Sequence, residues 1–256
     1  MKNLFLFLLF LLIFSCNKTR GDIVISKKDG KQYTHEQINE MLKQADRYYD
    51  QNLYVAAADL YKGVYDIQKP SDYVIYKLAY SYYSENKKFE ALPYFMQIVD
   101  TNEENIDKGV MNTIIGDLFT DKKEINSAVL YYQKALLDLS KDDESVGLYN
   151  IGRAYLIGGD FEKSEKYLNE AFEKEVALHP IKDQSDNYIL NSFLGEIKYL
   201  QALVYINRNI GTDNISIKDI DYIKQCLIVA AMCGQKQAIE MCNTYGFKYP
   251  KGFLQK

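Results

Sequence analysis

The strongest constraint on this 256-residue chain is a set of small residues that recur in register. Ala45, Ala79, Gly116 and Gly152 are separated by 34, 37 and 36 residues, and Ala57, Ala91, Ala128 and Ser164 repeat at the same intervals. Three residues after each member of the first set stands a ring: Tyr48, Tyr82, Phe119 and Tyr155. Four after each member of the second stands a bulky residue, Tyr61, Phe95, Tyr132 or Leu168, followed three later by Val64, Ile98, Ala135 or Ala171. Offsets of three and four lie on one helix face. Breaks such as Gly158-Gly159-Asp160 divide the blocks into pairs, as turn residues do. Two antiparallel helices approach closely only where one presents no bulk, so the small residues are notches for bulky side chains. A lone pair cannot bury its apolar face, so pairs must stack.

The residues that carry the pattern most fully are Leu148, Ile151, Gly152, Tyr155, Gly159, Phe161, Ser164, Leu168 and Ala171. They resemble the tetratricopeptide repeat (TPR), a helix–turn–helix unit of about 34 residues. Ile75, Leu78, Ala79, Tyr82, Ala91, Phe95 and Ile98 repeat it, and a third copy begins near Ile38 with Gln44 where an apolar residue is usual. The resemblance spans about residues 38–177. It implies an all-α, TPR-type α-solenoid, a right-handed superhelix of antiparallel helix pairs whose first helices line a concave groove. Four pairs are expected over 35–177, followed by C-terminal helices over 178–256. In that last region CLIVAAMCGQKQAIEMC resembles the Sel1-like relative of the repeat.

The opening MKNLFLFLLFLLIFSC reads as a targeting segment over 1–15. Lys2 is its basic start, and the 11 apolar residues that follow from Leu4 are too few for a permanent membrane span. Leu12-Ile13-Phe14-Ser15-Cys16 resembles a bacterial lipobox, implying cleavage before Cys16 and its acylation; an ordinary secretory signal is the alternative. Asn17 is not the Asp that retains such proteins at the inner membrane, which points to the outer membrane of a bacterial envelope. Residues 16–34 read as a tether, with a weak hairpin signal around Lys28-Asp29-Gly30-Lys31, and Thr34 to Gln37 as a capping box. His35 then belongs to an exposed first turn, and His179 to an exposed helix end.

A net charge of −4 without a basic block gives nucleic acid no footprint. Cys226, Cys233 and Cys242 are an odd set, so at least one has no intramolecular partner. Neither His stands near them in sequence to complete a zinc site. No metalloprotease, nucleophile-elbow or phosphate-loop motif is present, and acidic runs such as Asp142-Asp143-Glu144 lack the spacing of a calcium loop. The expectation is no enzyme, no metal and no cofactor.

What remains is a surface. Beside the packing stripe of each first helix lies a second one: Leu42, Asp46 and Tyr49; Tyr73, Tyr76, Tyr80 and Tyr83; Thr113, Asp117 and Thr120; Tyr149, Arg153 and Leu156; Tyr199, Leu203 and Ile206. A tyrosine-rich groove with Asp46, Asp117 and Arg153 as its charges is therefore expected to take a protein or peptide. The alternative is that these rings pack against adjoining helices. With Arg153 as the single base, the stripe is unsuited to the carboxylate grip of chaperone-binding TPR proteins. Envelope assembly, of outer-membrane proteins or pili, is a second function class, and glycan capture a third, disfavoured by the absence of Trp.

Overall fold

The structure is a computed structural model that describes residues 24–28, 31–179, 191–212 and 215–249. The targeting segment and Cys16 lie outside those residues.

Helices begin where the breaks supply caps. Thr34 starts α1 (His35–Asp50) with the reciprocal box: its Oγ1 accepts from the Gln37 amide at 3.2 Å, while Gln37 Oε1 accepts from the Thr34 amide at 3.0 Å. Ser71, Asp107, Asn191 and Ser216 cap α3 (Asp72–Ser84), α5 (Lys108–Asp121), α9 (Ser192–Arg208) and α10 (Ile217–Met232) in the simpler way. The remaining helices are α2 (Tyr54–Ile67), α4 (Lys88–Gln97), α6 (Ile125–Asp138), α7 (Glu144–Gly158), α8 (Phe161–Leu178) and α11 (Lys236–Tyr245).

The turns within the pairs share one geometry. Asn52, Asn86, Lys123 and Gly159, each seven residues after a first-helix notch, have φ of +59°, +58°, +61° and +79°. At each turn the following amide donates back five residues, as from Leu53 to the Tyr48 carbonyl and from Asp160 to the Tyr155 carbonyl. This is the Schellman termination. It forms a sixth column that the residue types Asn, Asn, Lys and Gly conceal.

The chain divides into two compact units, one ending at Glu103 and the other beginning at Glu104. The break falls within the stretch of four expected pairs, at the 37-residue interval between Ala79 and Gly116. In the first unit α2 packs on α1 and α3, and α3 on α4; in the second, each helix from α5 to α11 packs on the next. Part of the expected tether is ordered instead. Strands β1 (Val24–Lys28) and β2 (Lys31–Thr34) pair antiparallel. They adjoin α2 and α1, with Tyr33 packed on Ile38, Val64 and Ile67. Burial of Tyr33 against the first pair supplies what an isolated two-stranded ribbon lacks.

The notches are filled as their size demands. Ala45, Ala57, Ala79, Ala91, Ala128 and Ser164 are fully buried, as are Tyr61, Phe95, Tyr132 and Leu168. A Cβ added to Gly116 would stand 2.5 Å from the Tyr132 ring, and one added to Gly152 2.7 Å from Leu168 Cγ. The filler thus comes from the second helix of the same pair. Ser164 replaces alanine without an orphaned hydroxyl, because its Oγ donates to the Gly152 carbonyl at 2.8 Å.

At the C-terminal end Cys226 and Cys242 join Ala202, Leu227, Ala230, Ala231 and Ala238 in one cluster, and Gly195 lets α9 approach Cys233. All three thiols are buried and unpaired. Burial pushes the Cys233 thiol up to about 12, so these are packing groups, far from the thiolate that reactivity requires.

Candidate functional site

In the first unit five of the residues singled out in sequence come together. Tyr73, Tyr76, Tyr80 and Tyr83 project from α3 at offsets of three and four, and Tyr49 comes from the end of α1. The Tyr80 centroid is 6.0 Å from that of Tyr76, 6.4 Å from Tyr83 and 6.0 Å from Tyr49. Tyr54, at the start of α2, is missing from the sequence prediction because it lies on a second helix. Its ring stands 5.7 Å from Tyr49 and 6.0 Å from Tyr80, edge to face in both cases. These six rings are half-buried, neither sealed in the core nor free.

Beside them stands a charged staple. Asp46 Oδ1 accepts from Tyr61 Oη at 2.6 Å and from Lys77 Nζ at 2.8 Å, which links both helices of the first pair to the first helix of the second. Burial raises the Asp46 carboxyl, but the hydrogen bonds from Lys77 and Tyr61 and the Lys77 charge hold it below its ordinary value. Burial, then the bond to Asp46, pushes the Tyr61 phenol well up, and burial does the same to Tyr49. The Lys77 ammonium is 4.7 Å from the Tyr73 centroid and 5.4 Å from that of Tyr49, within cation–π range. Asp46, foreseen as a groove charge, is therefore already committed.

The second unit repeats the staple. Asp117 Oδ1 accepts from Tyr132 Oη at 2.7 Å and from Arg153 Nη2 at 2.5 Å; Arg153 Nη2 also reaches Tyr132 Oη at 3.3 Å. The two expected groove charges neutralise each other. Tyr149 turns edge-on to Phe193 of α9, centroids 5.2 Å apart, and burial raises its phenol. Tyr199 packs on the cores around Leu227 and Leu200. Tyr149 and Tyr199 are half-buried and pack on neighbouring helices, as Tyr49 does on the core around Ala45 and Leu78; what sets the first unit apart is that its rings also contact one another. The offset of 15 residues from Asp46 to Tyr61 and from Asp117 to Tyr132 was the available signal for the staples; the two tyrosines read simply as bulk.

Among the described residues, no group of three His, Cys, Asp or Glu side chains could hold a metal ion. No described helix is long and apolar enough to cross a membrane. Exposed His179 pairs with the buried carboxylate of Glu175, Nδ1 to Oε1 at 3.2 Å, which Ser145 and Asn191 also bind.

Within each unit, helix pairs closed by fillers and linked by staples make an α-helical fold of the tetratricopeptide type. Residues 147–173 match the family model of the tetratricopeptide repeat. No curated protein matches the chain by sequence. Among solved structures it is similar to MamA protein, at 15% identity over 83% of this chain and 97% of that one, with a TM-score of 0.54. It is similar also to a protein of nearly identical TPR-like repeats from Podosopora anserina, at 13% identity over 78% and 97%, TM-score 0.53. A third is BtubC from P. vanneervenii, at 15% over 85% and 84%, TM-score 0.52. At such identities the likeness is one of fold.

Proposed function

We propose that this chain is a non-catalytic scaffold, tethered to a bacterial envelope membrane, that docks a protein or peptide on the tyrosine face of α1, α2 and α3. The observation that carries the proposal is the common surface of Tyr49, Tyr54, Tyr73, Tyr76, Tyr80 and Tyr83, all half-buried. Tyrosine is enriched among the residues that dominate binding energy, since a rigid ring offers large area at low entropy cost. A face of mutually braced rings is pre-organised, which lowers the cost of association. Asp46 and Lys77 pair with each other, so recognition rests chiefly on the rings. The tether, the lipid on Cys16 and the outer-membrane location are supported by the first 17 residues of the sequence, and the Sel1-like character of α10 and α11 by their sequence pattern.

The test is cross-linking in native membranes followed by mass spectrometry, with Tyr76→Ala and Tyr80→Ala beside the unaltered chain. Each variant should weaken partner capture about tenfold or more, as hot-spot truncation does, while the melting temperature falls only a few degrees. Undiminished capture, or global unfolding of both variants, would remove the docking role from these rings.

A further inference from the structure

The C-terminal helices of the second unit enclose a pocket of about 330 Å³, separate from the tyrosine face. Five isoleucines line it: Ile206 in the last turn of α9, Ile210 in the turn after it, Ile215 before α10, and Ile220 and Ile223 within α10; Phe247 forms part of its wall. This is the size range and apolar character of a small-molecule site. Among the described residues no charged side chain lines it. The amide of Asn209, which does line it, donates to the Tyr205 carbonyl at 2.8 Å. Ile210 and Ile215 remain 70% and 41% exposed, so the pocket opens to solvent.

Apart from Asn209 and the Tyr245 phenol the described lining is aliphatic, aromatic or thioether, so a polar occupant would give up water with little to replace it. The pocket accepts a flexible aliphatic chain, whose methylenes gain from leaving water. The charge beside it specifies the other end of the ligand. Lys224 follows Ile223 directly, one turn on from Ile220. Its exposed side chain holds the ammonium 5.8 Å from the Phe247 centroid, and it forms no ion pair among the described residues. We infer that this pocket binds a free fatty acid, with the aliphatic chain among the isoleucines and the carboxylate at Lys224.

The experiment is a titration of the full chain, labelled at isoleucine δ1 methyls, with dodecanoate below its micellar concentration. Shifts should be confined to Ile206, Ile210, Ile215, Ile220 and Ile223, leaving the core residues Ile75 and Ile151 still. Lys224→Glu, an exposed change that spares the fold, should weaken dodecanoate about two- to fivefold, the value of one exposed ion pair, and leave dodecanol unaffected. Ile223→Trp, which fills the pocket, should abolish both. Absent shifts, or shifts spread over isoleucines of both units, overturn the site. Equal loss of acid and alcohol in Lys224→Glu overturns the carboxylate assignment. Pocket shifts that depend on protein concentration without ligand identify a second copy as the occupant and likewise overturn it.

Discussion

In the first unit the staple is Asp46, Tyr61 and Lys77; in the second it is Asp117, Tyr132 and Arg153. Acid and phenol occupy the same columns in both, but the cation does not. Lys77 lies two residues before the notch Ala79, and Arg153 one residue after the notch Gly152. Positions three apart share a helix face, so either can reach the acid below. The consequence is lateral. Where the second unit holds Arg153, the first holds Tyr80, the ring that touches Tyr49, Tyr54, Tyr76 and Tyr83. Moving the cation back by one turn releases the position on which the tyrosine face is centred.

The notches give the largest lever on this comparison. The first unit has Ala45 opposite Tyr61 and the second Gly116 opposite Tyr132, where an added Cβ would lie 2.5 Å from the ring. Gly116→Ala should cost about 1–3 kcal/mol in urea denaturation, although alanine already fills that column in the first unit; a neutral result would mean that the two notches have one width. The staples come next. Tyr61→Phe and Tyr132→Phe should each lose about 1 kcal/mol, since each removes a hydrogen bond to a carboxylate that stays partly in contact with water. The first staple also predicts a pH dependence. Because the Asp46 carboxyl is held below its ordinary 3.8, its contribution is complete above that pH and is lost as the pH falls through the lower folded value. Asp46→Asn should therefore flatten the acid limb of stability below pH 3.8, by a small margin since the side chain is 47% exposed. The smallest effect concerns the turns. The first unit uses Asn52 and Asn86 at positive φ, the second Lys123 and Gly159. A side chain without asparagine's local hydrogen bonding is the worst suited to that region. Lys123→Gly should raise stability by up to about 1 kcal/mol in thermal denaturation, whereas Asn86→Gly should change it little.

The helix pairs were legible because packing imposes size at fixed intervals: Ala45, Ala79, Gly116 and Gly152 are small for one reason, and their spacing exposes it. The capping box at Thr34 was legible because it is local. The turn column escaped notice because the requirement at Asn52, Asn86 and Lys123 is a backbone angle, which several residue types meet at different cost. Of the expected groove, the row on α3 was visible from its offsets alone. Tyr54 was not, since its place beside Tyr49 and Tyr80 depends on how α2 crosses behind α1 and α3. Tyr149 and Tyr199 show the converse. They stand on the same stripe, and their contacts with Phe193 and with the cluster around Leu200 are set by the approach of α9 and its neighbours.

Periodic small and large residues were enough to specify paired helices and the side each one buries, because size at a notch recurs at a fixed interval whatever else the pair carries. The partners of each charge and the exposure of each ring were set by assembly. Lys77 reaches Asp46 across 31 residues, and Arg153 reaches Asp117 across 36. Side-chain reach and helix crossing choose among several candidates on one face: the acid and phenol keep their 15-residue offset, but the cation stands in a different column in each unit, so spacing does not fix it.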